Sequence, residues 1–169
     1  MNDQANLRKL TLTAIFIAIG VLLAPFSIPI GVSRAFPVQH MINVLLAVLL
    51  GWQYSLAGAF CISSIRIAMG MGTILAYPGS LIGAVLSGVL YKKTGALWGA
   101  VLGEVVGTGI LGGLISYPIA AFVLESKAAA LLFFVLAFLP NTILGASLGV
   151  LILKFLPARQ IVSRMIKQQ

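Results

Sequence analysis

Charge is what this chain has least of. Only 8% of its 169 residues are charged, three of them acidic against eleven basic. A soluble fold needs more polar surface than that to cover its core. With 60% hydrophobic residues and a mean hydropathy of +1.11, the scarcity excludes an ordinary soluble domain and makes lipid the solvent for most of the chain. Cysteine occurs once, as Cys61, so no intrachain disulfide can form and nothing points to an oxidising compartment. Histidine also occurs once, and there is no metal-ligand cluster, Walker A loop or Rossmann fingerprint. No cofactor or metal is therefore expected, nor any recognisable means of hydrolysing ATP. The net charge of +8 would suit nucleic acid, but the basic residues sit at the ends of apolar runs instead of alternating with aromatics on a polar face. No nucleic-acid partner is expected.

What fills the length is apolar sequence. The runs are Leu10–Ile30, Pro37–Leu50, Tyr54–Gly70, Tyr77–Tyr91, Gly95–Tyr117 and Ala128–Lys154, divided by Gly, Pro and the few charges. The pattern predicts an all-α integral membrane protein: one domain over 1–169, folded as a compact bundle of six transmembrane helices. The second and fourth runs fall short of the ~20 residues that a perpendicular span needs, so they must gain length from their flanks, thin the bilayer or pack inside the bundle. The first run follows Arg8 and Lys9 as a signal peptide would, but it is long, carries Pro25 and Pro29, and lacks a cleavage site followed by a soluble domain. Orientation follows from the positive-inside rule. With both termini cytoplasmic, Arg8, Lys9, Lys92, Lys93, Lys154, Arg159, Arg164 and Lys167 all lie inside, and only Arg34 and Lys127 fall in outer loops.

Glycine punctuates the fifth run, with Gly95, Gly99, Gly103 and Gly107 four residues apart and Gly109 and Gly113 repeating the step. Such a ladder lets a neighbouring backbone approach closely. The first run carries a milder version, Ala14 and Ala18. Gly145-Ala146-Ser147-Leu148-Gly149 matches a nucleophile elbow in letters, but it lies within an apolar span far from the only histidine, and small-residue packing accounts for it.

Ionisable groups inside a span are costly and default to functional hypotheses. His40, Arg66 and Glu104 are the three to explain. At ~1.5 Å per residue, Glu104 falls near the middle of the fifth span and Asn141 near the middle of the sixth, so the two are expected to share a hydrogen bond. Arg66 lies one turn from the outer end of the third span. Gln39 and His40 open the second, and Arg34 lies in the loop just before it. Tyr77 and Tyr117 end spans at the same level, as interfacial anchors or as platforms for a flat ring. Pro78 can start a helix, which would leave the N–H groups of Gly79 and Ser80 facing the outer cavity as an acceptor site.

Arg34-Ala35-Phe36-Pro37-Val38-Gln39-His40, Tyr77-Pro78-Gly79-Ser80, and Gly103-Glu104 followed by Gly107-Thr108-Gly109 resemble the substrate-binding S components of energy-coupling factor (ECF) transporters, specifically the thiazole-specific ThiW family. The resemblance covers essentially the whole chain. It implies a prokaryotic plasma-membrane protein that captures hydroxyethylthiazole, a thiamine precursor, from outside. Its implied partners are a membrane T component and two cytoplasmic ATPases, with Ala14 and Ala18 matching the family's docking motif for the T component. It also implies an outward-facing pocket in whose region Arg34, Gln39, His40, Tyr77, Glu104, Tyr117 and Asn141 fall; Arg66 joins them as a candidate binding residue because of its charge within a span. Arginines and a histidine would suit an anionic ligand, whereas a thiazole alcohol is neutral; the residues alone leave both open. The alternatives are an S component for another vitamin or precursor, a proton-coupled carrier built on Glu104, and an intramembrane enzyme.

Overall fold

A computed structural model of the chain describes residues 2–30, 33–125, 131–155 and 160. Six long helices stand among the described residues: α1 (Asn2–Leu22), α2 (Pro37–Leu49), α3 (Trp52–Ala68), α4 (Ala76–Thr94), α5 (Leu97–Val123) and α6 (Leu131–Phe155). Between α1 and α2 lies a small antiparallel hairpin, β1 (Ile28–Ile30) and β2 (Ser33–Ala35), which pairs Ile28 with Ala35 and Pro29 with Arg34.

The first apolar run is therefore not one span to Ile30. The helix starts earlier, at Asn2, and stops at Leu22. Pro25 falls in a short 3-10 turn, Ala24–Phe26, and Pro29 in β1. Two prolines in five residues remove N–H donors and obstruct the preceding turn, so the helix cannot continue through them. Ala128, the expected start of the sixth run, lies outside the described residues, as do Lys127, Arg159, Arg164 and Lys167.

Three helices, α1, α5 and α6, are long and apolar enough to cross a membrane. By contrast α2 has 13 residues, a rise of about 20 Å, against the ~30 Å of a hydrocarbon core. It is short because it is internal: α3, α4, α5 and α6 all pack against it, and Ile42, Val44 and Leu46 are fully buried. On the other hand α1 is peripheral. It leans mainly on α3, where a Cβ added to Gly20 would lie 2.7 Å from Ile62 Cδ1.

The glycines of α5 act as the close-approach surface predicted for them, but on two faces. A Cβ at Gly107 would lie 2.6 Å from Gly83 Cα, and one at Gly103 or Gly112 would meet the α4 backbone at Leu86 or Gly79. One at Gly113 would lie 2.8 Å from Val135 Cα of α6. Gly95 is not part of the ladder; it ends α4 with φ +66°, the left-handed geometry of a helix C-cap. Gly145 and Gly149 bring α6 onto α2 at Pro37, His40 and Met41, while Ser147 is exposed on the opposite face. That is the packing role expected of the elbow lookalike.

Lys9 sits over the Tyr54 ring at 5.7 Å, Lys92 lines a groove with the α2–α3 turn, and Lys154 lines another with Leu97 and Trp98. The basic residues of α1, α4 and α6 thus gather at one end of the bundle, and the hairpin and the α3–α4 connection lie at the other.

Candidate functional site

The polar residues of α2 share one face. Gln39, His40 and Asn43 are buried at 2%, 6% and 0% exposure, and between them they reach α3, α4, α5 and α6. Buried polar groups without partners are costly, so their bonds define the site.

Glu104, completely buried on α5, is the hub. Its Oε1 lies 2.8 Å from His40 Nδ1, 3.1 Å from Asn43 Nδ2 and 3.0 Å from the Thr108 hydroxyl. The Asn43 amide also donates to the Ser80 carbonyl at 3.3 Å, and the Thr108 proton is shared with the Gly79 carbonyl at 3.0 Å. The predicted Glu104–Asn141 hydrogen bond is not formed. His40 stands between them, with its Nε2 3.0 Å from Asn141 Nδ2. The reason is the central position of α2, which places an imidazole between α5 and α6 at the level where the two polar side chains face each other.

A second chain of bonds runs to α3. Arg66 Nη1 donates to Gln39 Oε1 at 2.6 Å, and Gln39 Nε2 donates to Ser63 Oγ at 2.7 Å. Ser63 and Ser80 lie 3.0 Å apart; since the Ser80 proton goes to the Ala76 carbonyl at 2.7 Å, Ser63 is the donor of that pair. Arg66 is buried, with its guanidinium 4.1 Å from the centre of the Phe36 ring and Nη2 3.3 Å from the Met71 carbonyl.

These two chains flank a cavity of about 50 Å³ at the hairpin end of the bundle. At roughly 10–15 Å³ for each water, it has room for only a few waters. Gln39, His40, Ser80, Thr108 and Asn141 give its polar wall, and Phe36, Phe138, Ala76 and Gly79 its apolar one. Arg66, Gly72 and Thr73 close the rim.

Of the residues singled out in the sequence, Gln39, His40, Arg66 and Asn141 line this cavity. Glu104 stands one layer behind and reaches it through His40 and Thr108. Tyr77 and Tyr117 do not line it. The half-buried Tyr77 has its hydroxyl 2.9 Å from Ser64 Oγ and its ring 5.8 Å from the exposed Phe60, while Tyr117 packs against the cluster around Leu75 and Phe134. Arg34 is placed on β2, and its side chain lies outside what is described. Nor do Gly79 and Ser80 offer free N–H groups: α4 begins at Ala76, which puts both past its first turn, and it is their carbonyls that take part in the site. Ser80, expected at the cavity through its N–H, joins it through its hydroxyl and carbonyl, and Phe36, Thr108 and Phe138 join the site without having been singled out for it. Thr108 stands four residues after Glu104 and Phe138 three before Asn141, so helical spacing from those two polar residues was the available signal.

The sequence model of a family described as thiamine-precursor transporter protein, ThiW, matches residues 10–159. The chain belongs to the ThiW family. No curated protein and no solved structure matches it. ThiW membership makes it a member of a transporter family rather than of an enzyme family, which agrees with apolar helices of spanning length and with a small, partly polar cavity inside the bundle.

Proposed function

We propose that this ThiW chain is the substrate-capturing S component of an ECF-type ABC importer in a prokaryotic plasma membrane, and that its ligand is hydroxyethylthiazole. The whole chain forms one substrate-binding domain, with both termini cytoplasmic and the hairpin end outward. A T component and two ATPases supply transport and energy. The observation that carries the reading is the small cavity between Phe36, Phe138 and the polar face of α2, which sets two aromatic rings beside a hydrogen-bonding wall. The conflict between cationic side chains and a neutral ligand eases here, because Arg66 is already engaged by Gln39, the Met71 carbonyl and the Phe36 ring. Gln39, His40, Arg66 and Asn141 form the wall, Glu104 supports it, and Arg34 belongs to the outer loop next to it.

The test is ligand-dependent thermal stabilisation of the purified protein against a panel of thiazoles, pyrimidines and intact vitamins. A ligand at a hundred times its Kd stabilises the folded state by about 2.7 kcal/mol. Hydroxyethylthiazole should raise the melting temperature and pyrimidines should not; stabilisation by a pyrimidine alone would sink the reading.

One observation favours a second reading. The buried His40–Glu104 pair at 2.8 Å is also the kind of group a proton-coupled carrier uses. Such a carrier would accumulate ligand in liposomes along a pH gradient without partner subunits, whereas an S component alone binds ligand without accumulating it.

A further inference from the structure

Asn141 lines the cavity and is only 8% exposed, yet its Oδ1 has no hydrogen-bond partner in the protein. An amide carbonyl enclosed beside a cavity without a partner costs free energy until a ligand that seats against Asn141 brings it a donor. Its orientation is not free, because the other end of the amide faces His40 Nε2 at 3.0 Å.

The direction of that bond follows from the far side of the ring. A carboxylate oxygen accepts and does not donate, and Glu104 Oε1 lies 2.8 Å from His40 Nδ1, so Nδ1 carries the proton. In the neutral ring Nε2 is then a bare acceptor, and only the NH₂ end of Asn141 can satisfy it. The carbonyl oxygen is left over. Were the amide turned about, Oδ1 would face the Nε2 lone pair and the NH₂ group would be the one without a partner. Asn43 and Thr108 both direct donors at the same Glu104 oxygen, which fixes the carboxylate and with it the ring.

We infer that Glu104 and His40 act as positioning residues that hold Asn141 with its carbonyl unpartnered beside the cavity, making Asn141 the residue that selects a ligand carrying a hydrogen-bond donor. Glu104 sets the tautomer of His40, and the tautomer sets the face of the amide. The inference rests on the reading of the cavity as the substrate site. It adds the recognition rule: a hydroxyl is accepted, and a group of similar size without a proton is refused.

Two measurements test it. His40 is the only histidine in the chain, so its ring ¹⁵N resonances are unambiguous in histidine-labelled protein. They should show a protonated Nδ1 and a bare Nε2, and Glu104→Leu should redistribute the proton between the two nitrogens. Second, calorimetry with hydroxyethylthiazole and with its chloroethyl analogue, similar in size but lacking the hydroxyl proton, should favour the alcohol by about tenfold. Asn141→Leu should abolish or reverse that preference, since the hydroxyl then enters without a partner. A proton on Nε2 in the parent protein, or an alcohol preference unchanged in Asn141→Leu, would overturn the inference. Binding of no thiazole by a protein whose His40 shows the stated tautomer would remove the thiazole reading while supporting the hydrogen-bond chain. If Glu104→Leu does not fold, the parent resonances and Asn141→Leu still decide.

Discussion

Glu104 accepts hydrogen bonds from His40, Asn43 and Thr108 at one oxygen and none at the other, which abuts Gly83. That asymmetry predicts how substitutions divide. Glu104→Gln keeps an acceptor where the three donors converge and loses only the charge assistance, a cost of about 1–2 kcal/mol. Glu104→Leu takes the acceptor from His40 Nδ1 and from one Asn43 proton, while Thr108 keeps the Gly79 carbonyl, and should cost about 3–5 kcal/mol. Thermal unfolding of both variants in one detergent checks this; equal destabilisation would mean that the convergence on Oε1 is not what holds α2 to α5. The depth of Glu104 was legible in the sequence, because a lone acid in an apolar run is too costly to leave facing lipid and must turn inward to partners. The identity of its partner was not, since matching depths on two helices says nothing about a third helix between them. For the same reason the sequence does not separate a packing role for His40 from a bridging one: the difference depends on α2 being surrounded, and composition cannot show that. Tyr77 and Tyr117 stand outside the lining of the cavity, a distinction the sequence does not carry, because one residue turns a helix by about 100°.

At the scale of elements, the seam between α4 and α5 decides the shape of the site, because Thr108 and Gly79 meet across it. From Gly103 to Gly107 the glycines that face α4 are four residues apart, and from Gly107 to Gly112 they are five. The wider step coincides with Val105–Gly112, where α5 takes the π-helical i→i+5 pattern. The wider turn returns Gly112 to the α4 side, which a fixed four-residue ladder would have missed. It also explains why Gly109 and Gly113 serve α6 instead. The ladder was visible in sequence, but its change of phase was not, since no residue type announces a π turn. Gly107→Ala is the sharp test. Its Cβ would lie 2.6 Å from one backbone atom of Gly83 and 2.8 Å from another, and backbone cannot yield as a side-chain tip does. Separating the helices should cost about 1–3 kcal/mol and weaken ligand binding by displacing Thr108. A melting temperature and affinity equal to the parent's would show that the seam is looser than its geometry implies.

Over the whole molecule, the helix that contributes least to the cavity is α1. Its ordered contacts are with α3, α2 and the turn that follows it, and Thr13 and Gly20 mark its inward side. Ala14 and Ala18 are exposed on the other side, among Leu10, Ile15, Ile19 and Leu22, all exposed as well. A bundle helix with small residues one turn apart on its free face can admit another helix at close range. If that helix belongs to the T component, bulk at these two positions should separate assembly from recognition. Ala14→Leu and Ala18→Leu add volume where nothing in the chain is displaced, and none of the residues lining the cavity lies on α1. Ligand affinity and melting temperature should therefore match the parent protein. ATP-dependent uptake by the assembled transporter should fall about tenfold or more, the effect of losing roughly 1.4 kcal/mol of docking free energy. Uptake at the parental rate in the double variant would remove α1 as the docking surface, and loss of ligand binding by the isolated variants would show that α1 supports the cavity after all.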